Sequence, residues 1–225
     1  EEAAYTALTQ KLQLESQQKR APWDVVWGPT PFIEPGFMAK LGLLEPLDNH
    51  FPKEFWDDTY ASVLKEITYT GDGKKYTFPF WSDVFGLIYR PSMLKEATGS
   101  DVPPKTWDEI LAACEKVKAK YGDKISCFGG DWKFSHRLVM PILGTYTQKM
   151  YTPEGVIDMS GAPGLKTLQL LKKLYPYMPA NAAEALGSSK TFQANGVVMM
   201  TYWQAQVLRA IQAKVPADDV KMASF

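Results

Sequence analysis

The chain has 225 residues, enough for one large domain or two smaller lobes, each with its own core. Its 25 basic and 25 acidic residues cancel, so no long-range field favours a nucleic-acid backbone or an anionic membrane as partner. No apolar run approaches the roughly eighteen residues of a membrane span. Seven Trp and 11 Tyr give many flat rings, which suit the apolar faces of sugars.

The first 80 residues predict short helices, one strand and a hairpin. Ala4, Leu8 and Leu12 recur at i, i+4 and i+8 and predict an amphipathic helix. Asp72 and Gly73 are typical of a tight hairpin turn. In chain order we predict a helix at 2–17, a strand at 23–27, helices at 32–41 (ended by Gly42) and 56–65, and a hairpin with strands at 68–70 and 75–79.

The remaining residues alternate between apolar strands and helices. Thr106 and Glu109 form the Thr-x-x-Glu capping box that begins the clearest helix, which Gly122 ends. Alternation of this kind predicts an α/β fold whose sheet is mostly parallel, with helices on its faces. We predict strands at 84–89, 125–128, 156–159, 197–201 and 220–225, and helices at 92–98, 107–121, 134–143, 165–174, 188–195 and 204–213.

Two of these helices carry specific expectations. The first, at 165–174, should bury a face formed by leucines that recur every three residues, namely Leu165, Leu168, Leu171 and Leu174. The second should be capped by Ser188 or Ser189, because Ser oxygens accept hydrogen bonds from free N–H groups at helix starts.

Cysteine usage leaves two alternatives open. Cys114 and Cys127 pair in an oxidising space, or they remain two small buried thiols, and we favour buried thiols. With only two Cys and two His, and no metal-ligand spacing among them, we expect no metal site and no cofactor.

Aromatic residues next to polar ones follow or precede the predicted strands. Ligands of open α/β sheets bind beyond the carboxyl ends of strands, and a sugar needs a ring for its C–H face and polar groups for its hydroxyls. Asp83 is the strongest candidate, because a carboxylate beside Trp81 is costly to bury unless something binds it. The candidate ligand-binding residues are Thr30, Trp81, Asp83, Asp131, Trp132, Trp203 and Gln204.

Five short segments along the chain form a recognisable series. They contain Ala21-Pro22-Trp23-Asp24-Val25-Val26-Trp27, Leu41-Gly42-Leu43-Leu44-Glu45-Pro46-Leu47, Phe78-Pro79-Phe80 with Gly86-Leu87-Ile88-Tyr89, Pro103-Pro104-Lys105-Thr106-Trp107-Asp108-Glu109, and Phe192-Gln193-Ala194-Asn195-Gly196 with Met199-Met200-Thr201. In this order they resemble the extracellular solute-binding proteins of sugar importers, the family whose best-known member binds maltose. Members of this family are about twice as long, so the resemblance implies that this chain corresponds to a middle portion.

The resemblance implies a two-lobed fold with a ligand cleft between the lobes. By this analogy residues 1–81 belong to the first lobe, 82–86 form a hinge crossing and 87–225 belong to the second lobe. It further implies a carbohydrate ligand, a membrane permease of an ATP-driven importer as partner, and a periplasmic or extracellular location, with a lipid anchor as one mode of attachment. We expect a monomer that binds no nucleic acid and is not an enzyme.

Three other functions compete with sugar capture. A glycoside hydrolase would use Asp83 and Asp131 as paired carboxylates flanking the glycosidic oxygen. A binding protein for another polar solute would use the same groups on a polyol or a glycerophosphodiester. A pure interaction module would have no deep cleft and would expose an apolar patch instead.

Overall fold

The computed structural model describes residues 5–18, 23–26, 38–69, 71–80, 84–130, 136–152, 157–184 and 186–224. The chain divides into two compact units. The first comprises Glu1–Ser82 with Tyr151–Asp158, and the second comprises Asp83–Met150 with Met159–Phe225. The assignment of residues 1–81, 82–86 and 87–225 to two lobes and a hinge stays a prediction.

The first unit is built from short helices. Helix α1 (Tyr5–Gln17) confirms the first predicted helix, and the single helix expected at 56–65 is replaced by α2 (Lys53–Asp57) and α3 (Ala61–Ile67). A further helix, of which residues 38–40 are described, ends at Gly42 as predicted. Gly42 has φ +67°, and the N–H of Leu43 donates to the carbonyl of Met38 at 2.9 Å, which is the hydrogen bond that closes a helix C-terminus.

The hairpin turn of this unit is confirmed, although its strands are short. Thr68 and Lys75 form an isolated antiparallel bridge, and Asp72 Oδ1 accepts a hydrogen bond from the Lys74 N–H at 2.9 Å. The side chain of Lys75 connects the hairpin to the rest of the unit. Its ammonium group donates a hydrogen bond to Asp48 at 2.8 Å and lies over the Trp56 ring.

Two predicted strands are wrong within the described residues. Residues 23–26 form no regular structure, and the segment around 157 contributes only an isolated bridge between Tyr151 and Ile157. A strand exists only where a neighbour supplies ladder hydrogen bonds, and apolar runs of this length do not reveal whether that neighbour is present.

The second unit contains a four-stranded sheet in the order β2-β3-β1-β4. Its strands are β1 (Phe85–Tyr89), β2 (Ser126–Gly129), β3 (Val197–Trp203) and β4 (Lys221–Ala223). β3 runs parallel to β2, while β1 is antiparallel to both β3 and β4. The α/β fold class is confirmed, but the expectation of a mostly parallel sheet is wrong, because connections with two or three helices can return the chain to either end of a sheet.

Helices cover this sheet and bury β1, β2 and β3 almost completely. Leu87, Ile88, Phe128, Met199 and Met200 are each 0% exposed. The covering helices are α4 (Pro91–Thr98), α5 (Trp107–Tyr121), α6 (His136–Gly144), α7 (Gly161–Leu174), α8 (Gly187–Gln193) and α9 (Ala205–Gln212). Among the described residues, none of the helices is both long and apolar enough to cross a membrane.

The start of α5 follows the predicted capping box with one change. Thr106 Oγ1 accepts from the N–H of Glu109 at 3.2 Å, as expected. The Glu109 carboxylate accepts from the N–H of Lys105 at 2.7 Å, one residue earlier than the usual partner.

The two cysteines form a disulfide, so the preference for buried thiols is wrong. Cys114 lies on the buried side of α5 and Cys127 lies in β2, with their Cα atoms 5.1 Å apart. The pairing depends on α5 lying directly on β2, and a separation of 13 residues in sequence does not reveal that contact.

The buried side of α7 also differs from the sequence expectation. Leu165 and Leu168 are 56% and 54% exposed, whereas Leu171 and Leu174 are buried. A period of three drifts around a helix that has 3.6 residues per turn, so four leucines at that spacing cannot all face the core. The buried positions of α7 are Gly164, Thr167, Leu170, Leu171 and Leu174.

Candidate functional site

The structure describes two of the seven predicted ligand residues. Trp203 is the last residue of β3, and Gln204 follows it at the start of α9. The other five, Thr30, Trp81, Asp83, Asp131 and Trp132, lie outside the described residues.

Three parts of the chain meet at one end of the sheet of the second unit. β1 begins at Phe85, which pairs with Trp203, the last residue of the antiparallel β3. β2 is parallel to β3 and ends at Gly129, opposite Met200. The start of β1 and the carboxyl ends of β2 and β3 therefore lie together, at the kind of position where α/β sheets bind ligands.

Trp203 is half-buried at this end of the sheet and is held by an aromatic neighbour. Its ring lies 5.0 Å from that of Phe85, centroid to centroid, with the two planes at 86°. An edge-to-face contact of this kind is a preferred arrangement of two aromatic rings and orients the indole. The sequence analysis missed Phe85, because its position opposite Trp203 depends on an antiparallel register that sequence does not give.

Gln204 extends the pairing beyond the last residue of β3. Its N–H donates to the carbonyl of Val84 at 2.9 Å, which ties the end of β3 to the residue before β1. Gln204 itself is exposed, and Val84 is 55% exposed. The amide side chain of Gln204 therefore stands at the surface beside Trp203.

The end of β2 is fixed by Ser188, which was expected to cap a helix. Its hydroxyl donates to the carbonyl of Gly130 at 2.8 Å and accepts from the N–H of Gly130 at 3.1 Å. A Cβ atom on Gly130 would lie 2.6 Å from Leu138, so only glycine fits here without displacing that side chain. The capping prediction is wrong, because α8 begins at Gly187 and Ser188 is fully buried within its first turn.

Ser189, the other predicted cap, is also buried and joins two helices. Its hydroxyl donates to Gln206 Oε1 at 2.8 Å and accepts from the amide of Gln193 at 3.2 Å. This network links α8 to α9, the helix that starts directly after Trp203 and Gln204. The pair of serines was the only signal in the sequence. It does not show whether the hydroxyl groups cap a helix or form buried hydrogen bonds.

The electrostatics of the described residues do not supply a general acid. Such a group needs a raised carboxyl pKa. In the described part of the chain, every carboxyl whose pKa is shifted has it lowered, namely Asp48, Asp72, Glu96 and Asp219. For Asp48, burial acts to raise the pKa, but the hydrogen bonds and charge of Lys75 outweigh it. Within the same residues, no group of three or more His, Cys, Asp or Glu side chains could hold a metal ion.

Comparison with known proteins places the chain in a family. Residues 1–224 match the model of a family described as bacterial extracellular solute-binding protein. A curated binding protein of Brucella abortus is 30% identical over 174 residues, which cover 70% of this chain and 40% of that protein. The match therefore covers less than half the length of that relative.

Two solved structures share the fold. A solute-binding protein of an ABC transporter from Thermotoga lettingae, bound with α-D-tagatose, matches 97% of this chain and 57% of its own, with a TM-score of 0.74 and 24% identity. The maltotriose-binding protein of Thermus thermophilus, bound with maltotriose, matches 100% of this chain and 58% of its own, with a TM-score of 0.70 and 21% identity. The chain belongs to the bacterial extracellular solute-binding protein family.

Proposed function

We propose that this protein captures a neutral mono- or oligosaccharide outside the cytoplasm and delivers it to the membrane permease of an ABC importer. The observation that carries the proposal is the meeting of β1, β2 and β3 at one end of a sheet, with the half-buried ring of Trp203 among them. Family membership supports it, and so do the sugars held by two proteins of the same fold.

Trp203 and Gln204 supply the two kinds of group that a sugar needs. The indole offers an apolar face for ring C–H groups, and the amide of Gln204 both donates to and accepts from hydroxyls. Phe85 limits the orientations of the indole, which reduces the entropy lost when a ligand is bound.

The remaining ligand residues of the proposal were predicted from the sequence, and two of them are adjacent in the chain to residues at this end of the sheet. Asp83 directly precedes Val84 and Asp131 directly follows Gly130 in the sequence, and both lie outside the described residues. We include Trp132, Trp81 and Thr30 as further ligand residues on the sequence argument alone.

The proposal requires no chemical step. Capture needs polar groups and ring platforms that can enclose a solute, and it needs no nucleophile or tuned acid. We therefore propose a monomeric binding protein that is not an enzyme.

The disulfide supports an extracytoplasmic location. Disulfides persist in the periplasm and outside the cell, whereas cytosolic thiols are kept reduced. The bridge between Cys114 and Cys127 accordingly favours a periplasmic or extracellular protein. Attachment through a lipid anchor remains part of the proposal.

Calorimetric titration against a panel of neutral sugars tests the proposal. We expect the protein to bind at least one mono- or oligosaccharide, and Asp83→Ala and Trp203→Ala each to weaken that sugar about tenfold or more, or ~1.4 kcal/mol. Trp203→Phe keeps a ring and should retain part of the affinity.

Matched controls separate the site from general effects of substitution. Asp123→Ala removes a carboxylate just before β2, at the opposite end of the sheet, and Tyr60→Ala removes a ring that is 82% exposed in the first unit. Both should leave the affinity unchanged. The site is wrongly assigned if the Asp83 and Trp203 variants bind as the parent does. Binding of only polyols or glycerophosphodiesters would indicate another solute, and release of smaller sugars from an oligosaccharide would indicate a hydrolase.

A further inference from the structure

The outer side of α7 exposes large apolar side chains. Leu165 is 56% exposed, Leu168 is 54% exposed, and Tyr175, directly after the helix, is 65% exposed. These positions are three and seven residues apart, so they form one stripe along the helix, about 15 Å long at 1.5 Å per residue. Single exposed apolar residues are common, but an aligned set on one helix indicates a surface that something covers.

The same surface is basic. Lys166, Lys172 and Lys173 are exposed on α7, and residues 159–183 contain no Asp or Glu. Within the described part of the chain, none of these three lysines lies within ion-pair distance of a carboxylate, and Lys166 instead lies over the ring of Tyr146 at 5.8 Å.

Three lysines elsewhere on the second unit are paired with carboxylates. Ion pairs join Lys95 to Asp101, Lys118 to Asp123 and Lys120 to Glu96. The chain as a whole has a formal net charge of +0, so the excess positive charge of α7 is local. A local excess acts only within about a Debye length, roughly 8 Å at physiological salt, and therefore on a partner in contact.

We propose that this surface, here named the α7 face and formed by Leu165, Lys166, Leu168, Lys172, Lys173 and Tyr175, contacts an anionic phospholipid surface. Leucine and tyrosine side chains enter the interfacial region of a bilayer, and lysine ammonium groups bind lipid phosphates at the same depth. Protein interfaces, in contrast, are depleted of lysine in their buried centres. An exposed helix side that carries three lysines as well as two leucines therefore favours a lipid surface over a protein partner.

The contact is peripheral and weak. α7 keeps its opposite side in the core through Leu170, Leu171 and Leu174, so only the exposed side chains reach the lipid. Such a contact would hold the second unit near the membrane between encounters with its partner. The inference goes beyond sugar capture and does not depend on it.

Cosedimentation with lipid vesicles tests the proposal. The protein should bind vesicles of phosphatidylcholine mixed with phosphatidylglycerol, and not vesicles of phosphatidylcholine alone. Raising the salt from about 0.1 M to about 1 M shortens the Debye length from ~10 Å to ~3 Å and should release most of the protein. Each Lys→Gln substitution at positions 166, 172 and 173 should weaken binding about fivefold. Leu165→Ser with Leu168→Ser should also weaken it, because the apolar insertion is lost.

The matched controls are the single variants Lys95→Gln, Lys118→Gln and Lys120→Gln, each of which changes the net charge equally at a paired lysine. Each should bind vesicles as the parent does, and all variants should keep the parent's melting temperature and sugar affinity. Equal binding to both kinds of vesicle, or equal loss in the controls, would overturn the proposal. The proposal would also be overturned if substitutions on the α7 face weakened binding to the permease in detergent but left binding to lipid unchanged.

Discussion

Asp219 holds the guanidinium group of Arg90 in a buried ion pair. Its Oδ2 atom accepts from Nη2 of Arg90 at 2.7 Å and from Nε at 3.0 Å. Its Oδ1 accepts from the backbone N–H of Ser92 at 2.7 Å, so a residue 127 positions away caps the start of α4. Arg90 is only 5% exposed and also donates to Asn195. This contact fastens the segment before β4 to the end of β1.

Replacing Asp219 should strongly destabilise the protein. Asp219→Ala leaves the Arg90 charge buried without its counter-charge, and removing one partner of such a pair costs about 3–5 kcal/mol in free energy of unfolding. Urea denaturation measures this loss. Asp57→Ala breaks the exposed pair with Lys53 and should cost at most about 1 kcal/mol. Equal effects of the two substitutions would show that burial of the Arg90 pair has no energetic consequence.

The carboxylate of Asp219 should also make the free energy of unfolding depend on pH. Burial by itself raises the pKa of Asp219, but hydrogen bonds from Ser92 and the charge of Arg90 outweigh it, so the pKa is lowered on folding. A lowered pKa contributes stability that is complete above the unfolded value of about 3.9 and is lost as pH falls through the folded pKa.

The comparison of the parent with Asp219→Asn, by urea denaturation across pH, isolates this contribution. The difference in free energy of unfolding should be constant between about pH 5 and 7 and should shrink below about pH 4. A difference that grows on acidification would contradict the assigned direction of the pKa shift.

The disulfide should contribute substantially to stability. It closes a short loop, since Cys114 and Cys127 are 13 residues apart, and a loop of about this length corresponds to ~3 kcal/mol. The double variant Cys114→Ala, Cys127→Ala should lose about that much in urea denaturation. Reductant should destabilise the parent and leave the double variant unchanged. Two free thiols titrated in the unreduced, unfolded parent would show that the bridge does not form.

Two leucines of α7 provide a matched test of its buried side. Leu171 is 4% exposed and Leu168 is 54% exposed, three residues apart on one helix. Leu171→Ala should cost about 2–5 kcal/mol, because it removes packed methyl groups and leaves a cavity. Leu168→Ala should change stability by no more than about 0.5 kcal/mol. Thermal or urea unfolding measures both, and a larger loss for Leu168 would show that the helix is rotated about its axis.

Local sequence signals predicted most elements of the second unit. The apolar run at 84–89 is β1, the Thr106 cap begins α5, and Gly122, with φ +62°, ends it. Each of these depends on a few neighbouring residues, whose propensities act before any distant contact forms. The resemblance to solute-binding proteins, based on short segments in order, is confirmed by the family match over residues 1–224.

Several of the errors share one cause, because they concerned a partner distant in sequence. Ser188 bonds Gly130, 58 residues away, instead of capping a helix, and Cys114 pairs with Cys127 only because α5 lies on β2. For the candidate site, sequence nominated Trp203 and Gln204 but missed Phe85.

The sequence by itself determined where most helices and strands of the second unit occur, the α/β class and the family, because these follow from local propensity, apolar spacing and motif order. The tertiary structure alone decided the strand directions, the disulfide, the buried side of α7 and the contact of Phe85 with Trp203. These features depend on which segments, distant in sequence, pack against each other. The free energy of that packing belongs to a pair of segments and cannot be read from either segment alone.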